Sequence, residues 1–267
     1  MAIHSTAIIG KDVSMGAGNE IGPYAIIEDG VKLGSQNKIL ARAYVCTGTE
    51  VGDRNEIHMG AIVGHAPQDL AYQNAETGTV LGNDNIVREY VTIHRGTKEG
   101  TKTLLGDKNY LMAYSHVGHN CQIENKVIMV NGATLGGYCV VEDEAFLSGM
   151  TVFHQFTKIG RLAMVSGLSA VNKNVPPFMT CGGRPATAYA INIVGMRRAN
   201  IPAQTRDEIK RAFKILYQSD LNLGNALDEI ERVSKSPEVA HLVDFIRNSK
   251  RGIIGGGNSR ESEAIRF

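Results

Sequence analysis

Three of the eight histidines fall where acid–base chemistry could be done in concert. His116 and His119 stand three apart in Ser115-His116-Val117-Gly118-His119, and His154 precedes Gln155. An imidazole near neutrality can take or give a proton. An acyl transfer needs such a base, and it needs donors aimed at the oxygen that becomes anionic in the transition state. Gly137 offers a backbone N–H with no side chain in its way, and Gln155 offers a carboxamide. The same histidines could instead ligate Zn²⁺ and run a hydration. Against that, His116 and His119 share one segment, and no carboxylate adjoins them to orient a metal ligand. A third reading is a non-catalytic binding scaffold whose histidines are surface polar groups. It leaves the convergence of His119, Gly137 and Gln155 unexplained.

That convergence depends on how the chain coils. Stepping by six from Ile3 to Val171 meets 29 positions, of which 26 are Ile, Leu, Val, Met or Phe. The exceptions, Asp69, Ala75 and Glu99, fall in two interruptions: Asp69 to Gly78, and the stretch after His94-Arg95-Gly96-Thr97. The phase survives both, so each insertion replaces whole repeats. Gly often follows the apolar residue, as in Ile21-Gly22 and Leu105-Gly106, and small residues recur four places after it. Inward apolar residues with small neighbours describe flat faces and tight corners. Three hexads close one turn of a triangular coil, and successive coils pair as parallel strands about 4.8 Å apart. Residues 3–176 then form roughly nine to ten coils. A β-sandwich would show a period of two and no fixed six-residue phase. In the coil, residues three hexads apart lie above one another, so His119, Gly137 and Gln155 form one column.

The repeat assigns residues 1–189 to a parallel β-helix with two inserted loops. Residues 190–252 read as a helical domain. Thr205-Arg206-Asp207-Glu208 resembles a capping box before Ile209, Phe213, Leu216 and Tyr217. Asn222 to Ser234 gives a second helix. Ser236-Pro237-Glu238 opens a third, with proline at its first position. The glycine-rich, charged stretch 253–267 reads as an unstructured tail. A net charge of +1 over 267 residues gives no basic field for nucleic acid or a membrane surface. No apolar run is long enough to span a bilayer, so no stable membrane insertion is expected. The sequence MAIHSTAIIGKD has no secretory character, and four cysteines without CxxC spacing suit reduced thiols in a cytoplasm.

The repeat resembles the left-handed hexapeptide β-helix, a hand opposite to the usual crossover rule. A more specific likeness comes from an ordered set of segments. These are Pro67-Gln68-Asp69-Leu70, Thr92-Ile93-His94-Arg95-Gly96-Thr97, Ser115 to His119, and Val152-Phe153-His154-Gln155-Phe156. Asn174-Val175-Pro176-Pro177 and Asn192-Ile193-Val194-Gly195-Met196-Arg197-Arg198 complete it. Over roughly residues 1–252 the chain resembles the UDP-N-acetylglucosamine acyltransferases that begin lipid A biosynthesis. The resemblance implies His119 as general base and Gly137 as the backbone oxyanion donor. It implies Asp69, His116 and Gln155 as sugar and acyl contacts, His94 and His154 as active-site histidines, and Asn192 and Arg198 as nucleotide contacts. It gives Gly167 the position that limits acyl length, with room for a longer chain. It further implies a (3R)-3-hydroxyacyl donor on acyl carrier protein, a UDP-amino sugar acceptor, a homotrimer with sites between subunits, and no cofactor or metal.

The chain departs from that pattern at named positions. Asn120 stands where the family usually has Asp, and Tyr138 where its best-known members have His. Ala71 replaces a common Lys, and Val194 and Ala199 replace charged residues. A carboxamide cannot compensate an imidazolium as a carboxylate does. An acceptor carrying a 3-amine in place of the 3-hydroxyl is therefore a second expectation, because an amine near neutrality needs less help from a base.

Overall fold

The structure, a computed structural model, describes residues 2–257. Short strands, most of two residues, assemble into three parallel sheets that form the faces of a left-handed triangular coil. Inward residues pair coil to coil: Ile27 with Val45, Val117 with Leu135, Leu135 with Phe153. In these pairs the partner comes three hexads further along the chain. That spacing lengthens twice. Ile57 pairs with Val87, five hexads on, and Val87 with Leu111, four hexads on. The insertions thus add two hexads and then one, and the inward phase is kept on both sides.

Every inward residue of the hexads from Ile21 to Val171 is buried, apart from those in the insertions. In the first coil Ile3 is 44% exposed, because only one neighbouring coil covers it. Corners follow a rule that the apolar spacing does not display. From Asp12 to Leu168, residues in the left-handed region recur at multiples of six, among them Tyr90, Tyr114, Asn120, Tyr138, Met150 and Phe156. Tyr114, Met150, Phe156 and Leu168 are more than half exposed, so at these corners the side chain turns outward, whereas Asn120 and Leu162 are covered.

One corner carries a buried asparagine ladder. Asn19 Oδ1 accepts from the N–H of Asn37, Asn37 Oδ1 from that of Asn55, Asn55 Oδ1 from that of Asn85, and Asn85 Oδ1 from that of Asn109. Each carboxamide so pairs a backbone group that would otherwise be buried alone.

After Val171 the coil ends in an antiparallel pair, Met179–Gly183 with Ala186–Ile191, which the hexad spacing did not foretell. Four helices follow among the described residues: α1 (Ile193–Arg198), α2 (Ala203–Gln218), α3 (Leu223–Val233) and α4 (Pro237–Arg247). The sequence reading has no α1, since so short a helix shows no helical period. α2 begins at Ala203 with Pro202 as N-cap, so Thr205 lies inside the helix and makes no capping box. α3 and α4 start behind Asn222 and Ser236 as expected. Ile209, Phe213, Leu227, Ile230, Leu242 and Val243 form their shared core. His241 of α4 meets Glu142 of the coil at 2.8 Å.

The expected unstructured tail needs correction over residues 253–257. Ile253 bridges to Asn174 and Gly256 to Ala188, and Ile254 is buried. Its backbone N–H donates to Asn174 O, so the segment is tied down by hydrogen bonds and one apolar anchor despite its glycines. Residues 258–267 lie outside the described part. Among the described residues no helix is long and apolar enough to cross a membrane.

Candidate active site

His119 sits at the corner between the sheets that carry His116–Val117 and Gln122–Ile123. Gly137 lies against it one coil on. A Cβ on Gly137 would overlap the Cε1 and Nε2 atoms of the imidazole and come within 3.0 Å of Cδ2, so only glycine lets the ring rest there. The backbone N–H groups on either side are occupied, Gly136 N–H donating to Phe153 O and Tyr138 N–H to His119 O. The Gly137 N–H donates to no acceptor among the described residues. The third member of the column, Gln155, follows as an exposed side chain with its backbone against Gly136.

The two inserted loops close over this corner. Asp69 caps its own turn, its Oδ1 accepting from Ala71 N–H at 2.9 Å, and its Oδ2 lies 3.7 Å from His119 Nε2. The opposite ring nitrogen, Nδ1, is 3.1 Å from Asn120 Oδ1. That oxygen also accepts from the backbone N–H of Thr97 at 3.1 Å and from its hydroxyl at 3.0 Å. Thr97 Oγ1 is 3.1 Å from the Tyr138 hydroxyl, and the Tyr138 ring meets the imidazole edge-on with centroids 5.2 Å apart. The loops also bind each other: Glu76 N–H donates to Glu99 Oε2, and Arg95 lies over the Tyr72 ring.

A file of histidines runs along the outer face towards His119. His94 and His116 meet edge-on at 4.7 Å between centroids, and His65 lies 6.4 Å from His94. Burial, with help from His116, His65 and His119, lowers the His94 pKa to about 4, so it is neutral at pH 7. Burial first, and His119 second, lower that of His116 as well. His116 Nδ1 is engaged with the Thr92 hydroxyl at 2.7 Å. Among the described residues no group of three His, Cys, Asp or Glu is arranged to hold a metal ion.

The structure therefore brings Asp69, His94, His116, His119 and Gly137 together in one chain. His154 sits apart from the file, exposed, with Arg251 Nη2 at 2.8 Å from its Nδ1. The same nitrogen is 3.0 Å from the Gln155 carbonyl oxygen. Asn192 and Arg198 stand at a different corner. They line a cleft of about 520 Å³ with Lys126, Phe146, Met164 and Val194. Asn192 is also the N-cap of α1: its Oδ1 accepts from Gly195 N–H, and its Nδ2 donates to Leu162 O. Gly167 is exposed at the third corner, where a Cβ would touch only Gly149 O at 3.3 Å.

His65 and Thr97 are neighbours that column arithmetic missed. Thr97 stands at the edge of the second insertion, where stacking by whole regular coils says nothing. His65 left one clue: the first lengthened coil carries it to within one residue of His94, and a register shift after Val63 pairs the two.

A triangular hexapeptide coil carrying an imidazole against an unpaired backbone N–H is the plan of a hexapeptide-repeat acyltransferase. Comparison with known proteins narrows this. Residues 174–254 match the family described as UDP-N-acetylglucosamine O-acyltransferase, domain 2. The acyl-[acyl-carrier-protein]–UDP-N-acetylglucosamine O-acyltransferase of Thermodesulfovibrio yellowstonii is 42% identical over 253 residues, 94% of this chain and 98% of the relative. That of Paraburkholderia phymatum is 44% identical over 258 residues, with the same coverage. The solved UDP-N-acetylglucosamine acyltransferase of Bacteroides fragilis superposes with a TM-score of 0.86 at 38% identity, covering 95% of this chain and 97% of that one. That of Francisella novicida gives 0.92 at 30% identity, covering 99% of each. The chain belongs to the UDP-N-acetylglucosamine O-acyltransferase family.

Proposed function

We propose that this chain transfers an (R)-3-hydroxyacyl group from acyl carrier protein to the 3-position of UDP-N-acetylglucosamine, the opening step of lipid A biosynthesis. Relatives named for that donor and acceptor match nearly the whole chain. The observation that carries the residue-level reading is the His119 ring resting against Gly137, beside an unpaired backbone N–H.

His119 Nε2 takes the proton of the sugar hydroxyl as its oxygen attacks the thioester carbonyl. The carbonyl oxygen becomes anionic and is held by the Gly137 N–H. The Asp69 carboxylate, 3.7 Å from Nε2, stabilises the imidazolium as it forms. Collapse expels the carrier thiolate, which recovers the proton from His119. Ester and free thiol are the products, and the scheme calls for no cofactor or metal. His116, tied to the Thr92 hydroxyl, contacts the sugar in this scheme, with His94 beside it, and Gln155 is a further contact. His154, with its Arg251 partner, is a further contact in this scheme.

The assembly is proposed as a homotrimer in the cytoplasm. Supporting the trimer, Asn192 and Arg198 line a cleft away from the His119 corner, so a neighbouring copy must present that cleft to the base. Gly167 then bounds the acyl groove. Supporting the compartment, all four cysteines are free and buried.

A second acceptor, the 3-amino analogue, is favoured by one observation: the partner of His119 Nδ1 is an uncharged carboxamide. Mass spectrometry of the product from each UDP-sugar tests both. An ester product that disappears in His119→Ala is expected. Near wild-type turnover in that variant refutes the base, and an amide formed with no ester assigns the second acceptor.

A further inference from the structure

The asparagine beside His119 is chemically two-faced. One end of its carboxamide accepts hydrogen bonds and the other donates them. Which end meets Nδ1 decides where the imidazole carries its proton. The Thr97 backbone N–H is a donor and nothing else, so the Asn120 atom it meets at 3.1 Å is the oxygen. That same oxygen faces His119 Nδ1 at 3.1 Å, so Nδ1 must donate to it. The proton then sits on Nδ1, and Nε2 presents a lone pair. A flipped carboxamide would turn its NH₂ to Nδ1, draw the proton to Nε2 and leave no base there. It would also set donor against donor at Thr97.

We propose that the side-chain hydroxyl of Thr97, with Tyr138 behind it, makes Thr97 a positioning residue for His119: added to the Thr97 backbone N–H, the hydroxyl holds the Asn120 carboxamide oxygen towards Nδ1 and so keeps Nε2 free of its proton. This rests on the reading of His119 as the base. The Thr97 hydroxyl spends its proton on Asn120 Oδ1 at 3.0 Å, so the contact at 3.1 Å from Tyr138 is a donation by the phenol. The direction of the chain is thereby fixed: Tyr138 O–H to Thr97 Oγ1, Thr97 O–H to Asn120 Oδ1. Thr97 and Asn120 are each 8% exposed, and Asn120 N–H is held by Thr103 Oγ1 at 2.7 Å. Thr97 stands where the second insertion leaves the coil, so the root of that loop has a task in the chemistry without touching a reacting atom. The two family departures, Asn120 and Tyr138, belong to one hydrogen-bonded unit.

A carboxylate has two like ends and needs no such clamp. That difference is the test. Steady-state kinetics are measured for Thr97→Val in two backgrounds, the native Asn120 and Asn120→Asp. With Asn120 native, Thr97→Val is expected to lower kcat about tenfold, the worth of one net hydrogen bond, with little change in KM. With Asn120→Asp the same change is expected to cost less than about threefold. Thr97→Ser, which keeps the hydroxyl, should restore kcat. Should Thr97→Val not fold, Tyr138→Phe carries the comparison, with a loss of about threefold confined to the native background. Equal losses in both backgrounds, or no loss with Asn120 native, overturn the clamp. His119→Ala separates this from the underlying reading: an active His119→Ala enzyme refutes the base itself, whereas an inactive one alongside equal losses removes the clamp alone.

Discussion

Gly137→Ala puts a single methyl group into the closest contact of the proposed site. The backbone of Gly137 is outside the left-handed region, so alanine is conformationally acceptable there and the coil has no reason to reject it. The three atoms nearest the methyl all belong to the His119 ring, which must retreat to ordinary van der Waals separation, a movement on the order of 1 Å. A reacting group misplaced by that much costs about 100-fold in rate. The expected result is therefore a kcat down by about two orders of magnitude with an unfolding temperature within a few degrees of wild type. Gly136→Ala is the matched control. Its Cβ would stand 2.8 Å from Gln155 N and 2.9 Å from Phe153 O, backbone atoms of the next coil that cannot turn aside. That variant should lose stability first. Transfer is followed by carrier-thiol release and unfolding by circular dichroism. A Gly137→Ala enzyme with kcat within threefold of wild type would refute the claim that the imidazole works from this position.

Burial holds the His94 pKa at about 4, against an unfolded value near 6.5. The unfolded chain binds the extra proton first, so stability should fall as pH drops from about 6.5 towards 4, and His94→Gln should flatten urea midpoints across that window. His241 behaves in the opposite sense. Its hydrogen bond to Glu142 raises its pKa, so the stabilisation is present below the ordinary imidazole value and is lost as pH rises through the raised one. Thermal unfolding of wild type against His241→Gln from pH 6 to 9 should converge at the alkaline end, with a modest difference because the imidazole is 40% exposed. Asn55→Ala removes the acceptor for Asn85 N–H and the donor to Gly82 O from a buried corner, and should destabilise by about 2–4 kcal/mol in denaturant titrations.

Much of this was legible because a solenoid converts sequence spacing into position. Phase alone placed His119 against Gly137 and Gln155 beyond them, and the lengthened coils left that phase intact. What spacing could not reach were contacts made sideways. Asp69 and Thr97 arrive at His119 from loops that leave the coil, so neither lies in its column. The asparagines of the ladder are polar residues at a corner, and the six-residue apolar spacing does not mark them as buried. Their burial appears only when the two lengthened coils are counted in, which brings Asn55, Asn85 and Asn109 into line. The C-terminal return was missed for the reverse reason: its glycines argue for freedom, and two backbone bridges decide otherwise.

The recurring left-handed corner residue has a further consequence. It separates what keeps the coil standing from what the coil displays. Inward positions recur with one remainder modulo six and corner positions with another, so tolerance to substitution should itself oscillate along the chain. Tyr24, Arg42, Tyr90, Tyr114, Met150 and Leu168 differ in size and charge at equivalent corners of successive coils, and the backbone holds the same conformation at each. A corner can thus be rewritten without rewriting the interior. Asn120, Tyr138 and Phe156 occupy such addresses on the corner that holds His119, and the last two stack at 4.9 Å. In a fold of this kind, new specificity can be inscribed one coil at a time.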